Sequence, residues 1–345
     1  MVTFFVLSVK SHIVYNASMK EATTSLPQDF IERIEAIFLS PMHPGILESF
    51  SSYSPLTIRI NTLTSSNEEV KEILQANSIQ FENVAWYSSA MVLPNATTAQ
   101  VMALPLYGEG KIYIQSLSSM IPALVMNPSR NDTVLDIAAA PGSKTTQLAA
   151  LMHNTGTIIA NDISRARMYK LKENLRNYHV TNTTLTYIHG EQIWKKYPEL
   201  FDTTLVDVPC SMEGRFKTDD PNTFKDWSSK KVKELAHRQK YLLRSAISAT
   251  KIGGSIIYST CTISPEENEE VIDWVLEKEA GKVHLEEIKL DGLTGSMNGL
   301  TKWKDKNFDP SLSKSLRLIP SQMYEGFFVS KIVKTAQTTD LATYL

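Results

Sequence analysis

From residue 133 onward, short runs of β-branched and apolar residues alternate with segments long enough to form helices. Such an alternation is typical of a parallel sheet with helices packed on both of its faces. We therefore predict a doubly wound α/β fold for this part of the chain. Its six strands are expected at residues 133–137, 157–162, 184–188, 203–208, 255–260 and 326–333.

Two helices between these strands have clear start signals. Ser164 and Ser228 are suited to the N-cap positions of helices over residues 164–177 and 228–250. The second helix is long and amphipathic, and we expect it to be closed by the glycine pair at 253–254.

A third helix start follows the last strand but one. Ser264 precedes Pro265, which suits the first helical position, and Glu267 stands where a capping box places its glutamate. The pattern predicts a helix that begins at Pro265. Residues 290–316 are rich in Gly, Asn, Lys and Asp and predict a surface loop.

Residues 27–127 have a different pattern, which predicts a small α+β module that precedes the α/β domain. An early helix is followed by alternating strand-like and helix-like segments. We expect strands at 56–63 and 110–116 and helices at 67–76 and around 119–126.

These patterns divide the chain into an extension at 1–26, a module at 27–127, a catalytic domain at 128–335 and a tail at 336–345. The apolar run at 2–9 is too short to span a bilayer and lacks the basic leading segment of a signal peptide. We expect translation to start at Met19 and the protein to be a cytoplasmic monomer without membrane contact.

Composition narrows the possible partners. The 345 residues include 35 Lys and Arg against 37 Asp and Glu, a formal charge of −2, so any contact with nucleic acid must come from local clusters. The two cysteines, Cys210 and Cys261, lack the spacing of a zinc site, and we expect no metal. A disulfide is compatible with their number, but reduced thiols are favoured in a chain with a full core.

A candidate cofactor loop follows the strand that ends near Asp136. Small residues from Ala138 to Thr145 allow a ligand to lie against the backbone at the carboxyl end of a strand. Asp162, 20 residues beyond Gly142, can accept hydrogen bonds from ribose hydroxyls. Neither GxGxxG nor the phosphate-loop spacing is present, which favours S-adenosylmethionine. The alternative is a tight turn with an unrelated surface aspartate.

Both cysteines follow predicted parallel strands. Asp207 and Cys210 come after one strand and Cys261 after the next, so all three should emerge beside the cofactor loop. The helix predicted after Cys261 would favour its thiolate. The alternative is that each cysteine is a small buried hydrophobe.

Thiols suit one reaction in particular. A thiolate that adds to carbon 6 of cytosine makes carbon 5 nucleophilic toward a methyl donor, and a second thiol can assist the elimination. Asp207 could hydrogen-bond the amidine edge of the base. The target cytosine must be unpaired or flipped out of its stack.

The motifs along the chain resemble those of the Sun-type (Fmu-type) RNA cytosine-5 methyltransferases. Each motif is weak alone, but the set in this order is specific. The matching segments are Arg59-Ile60-Asn61, Tyr113-Ile114-Gln115, Ala138 to Thr145, Pro209-Cys210-Ser211, Tyr258 to Thr262, Glu266-Glu267-Asn268 and Glu325 to Phe328.

The resemblance implies a class I (Rossmann-like) S-adenosylmethionine-dependent methyltransferase core preceded by an RNA-binding module. It implies that Cys261 is the nucleophile and that Cys210 helps to free the product. It also implies that Asp162 and Asp207 contact the cofactor. The implied contacts of the loop are Ala138, Ala139, Ala140, Pro141, Gly142, Ser143 and Lys144.

The chain departs from the family at two positions near the site. His189-Gly190-Glu191 stands where relatives have an acidic adenine contact, so that contact is expected to pass to Glu191 or to be lost. Met212 replaces a frequent glycine and could narrow the base pocket. Relatives also carry further RNA-binding domains after the last strand, which leaves open whether rRNA, the first expectation, or tRNA is modified.

RNA contacts are expected in the segment at 214–233, which interleaves basic and aromatic residues, with Arg215 and Lys217 as the main candidates. A solvated helix start is the alternative, since acidic residues are mixed in. Arg59 and Arg317 are added through the resemblance. The competing functions are an RNA-binding protein without activity and a nicotinamide-dependent oxidoreductase.

Overall fold

The computed structural model describes residues 26–51 and 53–338. The predicted extension and the start at Met19 lie outside these residues, apart from Leu26, as does most of the tail at 336–345. Within the described ranges, no helix combines the length and apolar character needed to cross a bilayer.

The first part of the chain forms a four-stranded antiparallel sheet with helices around it. The elements of this part are α1 (Gln28–Ile37), α2 (His43–Ser49), β1 (Leu56–Ile60), α3 (Asn67–Ala76), β2 (Glu82–Asn83), β3 (Ala90–Leu93), α4 (Thr98–Met102), α5 (Pro105–Gly108) and β4 (Ile112–Ile114). The strands pair in the order β2-β3-β1-β4, and β1 pairs with both β3 and β4.

The second part is a nine-stranded mixed sheet flanked by helices. The elements of this part are α6 (Leu117–Met126), β5 (Thr133–Asp136), α7 (Ser143–Leu151), β6 (Thr157–Asn161), α8 (Arg165–Asn177), β7 (Thr183–Thr186), α9 (Ile193–Lys196), β8 (Phe201–Asp207), α10 (Ser229–Ala249), β9 (Thr250–Thr260), α11 (Glu269–Lys278), β10 (Val283–Glu286), β11 (Ser296–Asn298), β12 (Lys302–Trp303), β13 (Lys306–Asn307), β14 (Leu316–Leu318) and β15 (Phe327–Lys334). The strand order of the nine-stranded sheet is β11-β14-β15-β9-β8-β5-β6-β7, with β10 paired to β15, whereas β12 and β13 pair with each other in a separate hairpin.

Five adjacent strands of this sheet, β7, β6, β5, β8 and β9, are parallel. Their carboxyl ends therefore meet at one edge, which is where ligands bind in open α/β sheets. The pairing of β8 with β9 sets Asp207 opposite Ser259. Residues that follow these two positions leave the sheet side by side.

All six predicted strands are present, with ends within a few residues of the prediction except at the start of β9. Ser164 and Ser228 are the N-caps of α8 and α10, since each side chain accepts a hydrogen bond from the backbone three residues on. The predicted end of α10 is wrong. Thr250 is already extended, and the glycine pair at 253–254 lies within β9.

The predicted helix start at Pro265 is also wrong, because α11 begins only at Glu269. The capping box does not form, since Ser264 and Glu267 direct their side chains to other partners: Ser264 donates to Glu213, and Glu267 accepts from Ser211. Residues 290–316 are not simply a surface loop. They hold three short strands, β11 to β13, and a buried Leu312.

Arg59 is buried and connects the N-terminal sheet to helix α7. From β1 its Nε donates to Gln115 at 2.9 Å, and its Nη2 donates to Thr146 of α7 at 2.8 Å. The residue is 1% exposed, and burial lowers the pKa of its guanidinium. The RNA contact expected for Arg59 does not agree with this burial.

Arg317 is likewise a structural residue. Its guanidinium on β14 forms a bidentate pair with Glu269 at the start of α11, and it also donates to the carbonyl of Ile263 at 2.9 Å. Both side chains are almost fully buried. The RNA contact expected for Arg317 does not agree with this burial.

We predict that Arg317→Met lowers the free energy of unfolding by about 3–5 kcal/mol, because it leaves the Glu269 carboxylate buried without its partner. The double variant Arg317→Met/Glu269→Met should recover much of that loss, since neither charge is then buried. Urea unfolding measures both. Lys230→Met, which breaks an exposed pair with Glu234, is the control and should leave the midpoint unchanged. A double variant less stable than the single one would contradict the prediction.

Candidate active site

The two cysteines lie side by side at the carboxyl ends of β8 and β9. Their sulfur atoms are 3.2 Å apart, and both thiols are free and partly buried. This separation is well beyond a disulfide bond of about 2.05 Å but is close enough for one thiol to donate to the other. The structure thus brings together the two residues that the sequence placed after neighbouring strands.

The pair is chemically unequal. The hydrogen bond with Cys261 raises the pKa of Cys210 well above its ordinary value, and burial and the charge on Cys261 act in the same direction. Cys210 therefore holds its proton more tightly than an ordinary cysteine does.

Arg215, and not a helix end, supplies positive charge that interacts with Cys261. Since α11 starts eight residues after Cys261, its dipole cannot act as the sequence suggested. Burial opposes the charge on Arg215, but the charges of Glu325, Cys261 and Asp207 raise its pKa above the ordinary value. Its guanidinium is thus a positive charge that interacts with both Cys261 and Asp207.

A buried carboxyl, Glu267, holds the turn that carries Cys210. Its Oε2 accepts from the backbone N–H of Ser211 at 3.0 Å and from Nε2 of Gln239 at 2.8 Å. The same Gln239 nitrogen also donates to the carbonyl of Pro209. Burial, and next the charge of Glu213, raise the pKa of Glu267 to about 8.

Glu213 lies behind the loop that follows Cys210. Its carboxylate is fully buried and accepts from Nε1 of Trp227 at 2.9 Å, from the Ser264 hydroxyl at 2.6 Å and from the Thr262 hydroxyl at 2.7 Å. Three hydrogen bonds compensate for its burial. They tie the segments that follow β8 and β9 to each other.

Asp207 faces the site next to the thiols and is partly exposed. Its Oδ2 pairs with Nζ of Lys144 at 2.7 Å, and its Oδ1 accepts from the Ser259 hydroxyl at 2.7 Å. Lys144 also donates to Ser119 at 2.9 Å. The lysine of the predicted cofactor loop is thus committed to positioning Asp207.

The predicted cofactor loop turns from β5 into α7 at the same edge. Ala139 donates its N–H to the carbonyl of Asn161 at 2.8 Å, which holds the loop against β6, and Gly142 adopts φ +111. A side chain on Gly142 would also meet Leu171. At the end of β5, burial raises the pKa of Asp136 to about 7, although Thr145 donates to it.

Asp162 is arranged to accept hydrogen bonds from a ligand. It is 4% exposed, its Oδ1 accepts from the N–H of Ser164 at 2.9 Å, and its Oδ2 is buried without a hydrogen-bond donor, 3.3 Å from Arg167. Beside it, Ile163 presents an apolar side chain to solvent. An unsatisfied acceptor next to an exposed apolar group fits the ribose and base of a nucleoside.

Glu191 follows β7, the strand next to β6. Its Oε1 accepts from Nε of Arg238 at 2.6 Å, while its Oε2 is buried without a hydrogen-bond partner. A donor such as an exocyclic amino group would satisfy this oxygen. The adenine contact expected of Glu191 stays a prediction, and His189 is exposed.

Arg215 and Lys217 border a cavity of 290 Å³ between the N-terminal module and the catalytic sheet. Arg215 pairs with Glu325 at 3.1 Å, and Nζ of Lys217 donates to the Ser54 hydroxyl at 3.1 Å. The neighbouring Phe216 is buried against Phe30, so this ring is not available to stack on a base.

Met212 has a backbone conformation that glycine adopts more easily. Its φ of +60 lies in the left-handed region, which costs a side chain about 1–2 kcal/mol. The side chain is exposed, and the narrowing of the base pocket expected from it stays a prediction.

Two residues of the site were missed from the sequence: Gln239, and Arg167, which donates to the carbonyl of Ala140. Three others, Ser119, Glu213 and Ser259, belong to segments that match the family, but no role in the site was predicted for them. Gln239 was the most accessible of these, since it is a polar residue on the buried face of α10. Glu267 was identified, but in the wrong role.

Two protein-family models match the chain. The model described as 16S rRNA methyltransferase RsmB/F matches residues 123–333, and the model of the N-terminal domain of 16S rRNA methyltransferase RsmF matches residues 26–117.

Curated relatives are named ribosomal RNA small subunit methyltransferase F. The Vibrio campbellii protein is 38% identical over 323 residues, covering 90% of this chain and 63% of that protein. The Shewanella amazonensis protein is 38% identical over 285 residues, covering 81% of this chain and 58% of that protein. The chain spans less than two thirds of the length of these relatives.

Solved structures share the fold. A methyltransferase homolog protein from Pyrococcus horikoshii superimposes with a TM-score of 0.80 at 30% identity, covering 92% of this chain and 99% of that chain. NSun6 from the same organism gives a TM-score of 0.76 at 22% identity, over 91% and 100% of the two chains, which supports the fold alone.

The buried position of Glu267 predicts a pH dependence of stability. Because folding raises its pKa from 4.5 to about 8, the folded protein holds this proton more tightly, and its contribution to stability is lost as pH rises from about 4.5 to 8. Relative to Glu267→Gln, the wild type should therefore lose up to about 5 kcal/mol across that range. Urea unfolding at pH 5 and pH 8 measures this loss. Parallel curves for the two proteins would contradict it.

Proposed function

Because the chain belongs to the 16S rRNA methyltransferase RsmB/F family, we propose that it transfers a methyl group from S-adenosylmethionine to carbon 5 of a cytosine in RNA. The observation that carries this proposal is the pair of free thiols, 3.2 Å apart, at the sheet edge that also holds the candidate cofactor residues. A methyltransferase that acts on an oxygen or nitrogen atom has no need of two thiols there.

The proposed substrate is rRNA, with tRNA as the second candidate. The names of the curated relatives support rRNA, since the Vibrio campbellii and Shewanella amazonensis proteins are both called ribosomal RNA small subunit methyltransferase F. The proposed division of labour follows the two parts of the chain, with residues 27–127 as an RNA-binding module and residues 128–335 as the catalytic domain.

We assign cofactor binding to two carboxylates that each have an unsatisfied oxygen and to the backbone of the candidate cofactor loop. Asp162 would accept the ribose hydroxyls, Glu191 would accept the amino group of the adenine, and the backbone from Ala138 to Ser143 would lie along the ligand. When bound, S-adenosylmethionine supplies an electrophilic methyl group. Lys144 and Asp207, already paired, would border that group instead of binding it strongly.

Catalysis begins with the thiolate of Cys261. Its sulfur adds to carbon 6 of the cytosine, and the electron pair of the 5,6 double bond moves to carbon 5, which takes the methyl group. Asp207 is partly exposed beside the sulfurs and can accept a hydrogen bond from the amidine edge of the base. Arg215 balances the negative charge of the thiolate before the addition.

Cys210 completes the reaction because its acidity changes during it. In the free protein the hydrogen bond to Cys261 and the charge on Cys261 hold its pKa high. Once Cys261 is bonded to carbon 6 its sulfur is neutral, so both causes disappear and the pKa of Cys210 falls. Cys210 then gives up its proton to solvent water, and the resulting thiolate takes the proton from carbon 5. The electron pair of that C–H bond re-forms the 5,6 double bond, and the bond between carbon 6 and Cys261 breaks with its electron pair on the Cys261 sulfur.

The proposed RNA contacts are Arg215 and Lys217 at the 290 Å³ cavity between the two parts of the chain. Both cations border this cavity, which is also lined by residues of the N-terminal module such as Thr57 and Gln115. A phosphate on either side of the target nucleotide could replace the Glu325 carboxylate as the partner of Arg215.

We predict opposite results for the two cysteine variants with 16S rRNA and S-adenosylmethionine. Cys261→Ala should abolish methyl transfer and form no covalent complex, because the attacking sulfur is gone. Cys210→Ala should accumulate an enzyme–RNA adduct stable to denaturing electrophoresis, because the carbon 5 proton has no acceptor. Methyl transfer by Cys261→Ala would refute the nucleophile assignment. RNA binding by the wild type without any methyl transfer would favour the RNA-binding protein without activity.

We also predict that Asp162→Ala weakens binding of S-adenosylhomocysteine by about 10- to 100-fold, since an acceptor for ribose hydroxyls is lost. Isothermal titration calorimetry measures this, with Asp202→Ala at the opposite end of the strands as the matched control. Titration of the wild type with NAD tests the oxidoreductase alternative. Binding of NAD but not of S-adenosylhomocysteine would exclude the proposed function.

A further inference from the structure

A basic and aromatic groove lies on α8, away from the thiols. The groove has a volume of 540 Å³ and is bordered by Arg165, Met168, Tyr169 and Lys172 of α8 and by Tyr187 just after β7. The four helix residues follow the spacing i, i+3, i+4, i+7, so they form one face of α8. We call these five residues the α8 groove.

Both tyrosines are unusually open to solvent. Tyr169 is 77% exposed and Tyr187 is 58% exposed, the highest values among the large hydrophobic residues of the catalytic sheet and its helices. Neither ring packs against another aromatic ring in the described part of the chain. The bases of single-stranded nucleic acids stack on exposed aromatic side chains that lie beside positive charges.

The charge on α8 is also unusual for this chain. The helix carries five cations, Arg165, Arg167, Lys170, Lys172 and Arg176, against Glu173 alone, in a protein whose formal charge is −2. Only Arg167 forms an ion pair with a carboxylate among the described residues.

Most cations on the helix α10, in contrast, form ion pairs. Four of the six cations on α10 pair with carboxylates, namely Lys230, Arg238, Lys240 and Arg244. Among the described residues, no carboxylate forms an ion pair with Arg165 or Lys172 of the α8 groove. The groove is therefore complementary to a polyanion.

The position of the groove relates it to the reaction. Tyr187 follows β7, which lies three strand spacings from β8 in the order β8-β5-β6-β7, a lateral distance of about 14 Å. Since these strands are parallel, Tyr187 and Cys210 leave the sheet at the same edge. A strand of RNA that places one nucleotide at the thiols can reach the groove.

We propose that the α8 groove binds an unpaired segment of the substrate RNA, with Tyr169 and Tyr187 stacking on bases and Arg165 and Lys172 contacting phosphates. This inference rests on the proposed function for its choice of RNA. It assigns a second contact surface, on the opposite side of the cofactor residues from the cavity at Arg215 and Lys217.

The first test is binding of a short, unstructured, fluorescein-labelled RNA, measured by anisotropy. Tyr169→Ala/Tyr187→Ala should weaken binding by about 10- to 100-fold, the loss expected for one or two stacked bases. Tyr241→Ala removes an exposed tyrosine from α10 and should leave the affinity unchanged. Equal affinities for the wild type and the double variant would overturn the proposal.

The second test is salt dependence. Arg165→Glu/Lys172→Glu should reduce the slope of log affinity against log salt by about 1.4, as expected for two lost phosphate contacts on a single strand. Lys302→Glu/Lys304→Glu changes the net charge equally at an exposed hairpin and should keep the slope. Equal slopes for the two variants would overturn the proposal, because net charge alone would explain the change.

Two further measurements separate this inference from the proposed function. When the RNA concentration is varied, the tyrosine variant should methylate 16S rRNA with an unchanged kcat and a raised KM. Its affinity for S-adenosylhomocysteine should equal that of the wild type. A parallel loss of S-adenosylhomocysteine binding would assign the groove to the cofactor and overturn the proposal. If the wild type transfers no methyl group, the proposed function fails, whereas the RNA-binding comparison still tests the groove.

Discussion

The parallel pairing of β8 with β9 is the constraint on which the site depends. With Asp207 opposite Ser259, the chain leaves both strands at the same level, and the two sulfurs come to lie 3.2 Å apart. A shift of one residue in this register would reverse the direction of every side chain on one strand and separate the thiols. Neighbouring β5 and β6 end at the same edge and bring the cofactor loop and Asp162 to it.

The reactivity of the site comes from contacts between its own side chains. The hydrogen bond between the thiols keeps the proton on Cys210, and Arg215 supplies the nearby positive charge. Behind them, Glu213 and Glu267 are buried and fasten the turns after both strands. Burying these two carboxyl groups costs free energy. Their hydrogen bonds nevertheless fix the turns beside the two sulfurs with a specificity that apolar contacts alone do not provide.

The sequence was sufficient to predict the strands, their shared edge and the position of both cysteines at it, because parallel strands convert order along the chain into position at an edge. It was not sufficient for residues whose partners are distant in sequence. Glu267 fits a capping box locally, yet its carboxyl binds Ser211, and Arg59 and Arg317 match family motifs but are buried against Gln115 and Glu269. Local patterns cannot reveal such long-range pairs.

The central claim is that Cys261 and not Cys210 attacks the cytosine. RNA that contains 5-fluorocytosine tests this directly in the wild-type protein, because fluorine at carbon 5 cannot leave as a proton does and the adduct persists. Proteolysis of the trapped complex and mass spectrometry would then identify the modified peptide. The account predicts a methylated fluorocytidine on Cys261. Attachment to Cys210, or the absence of any adduct, would contradict it.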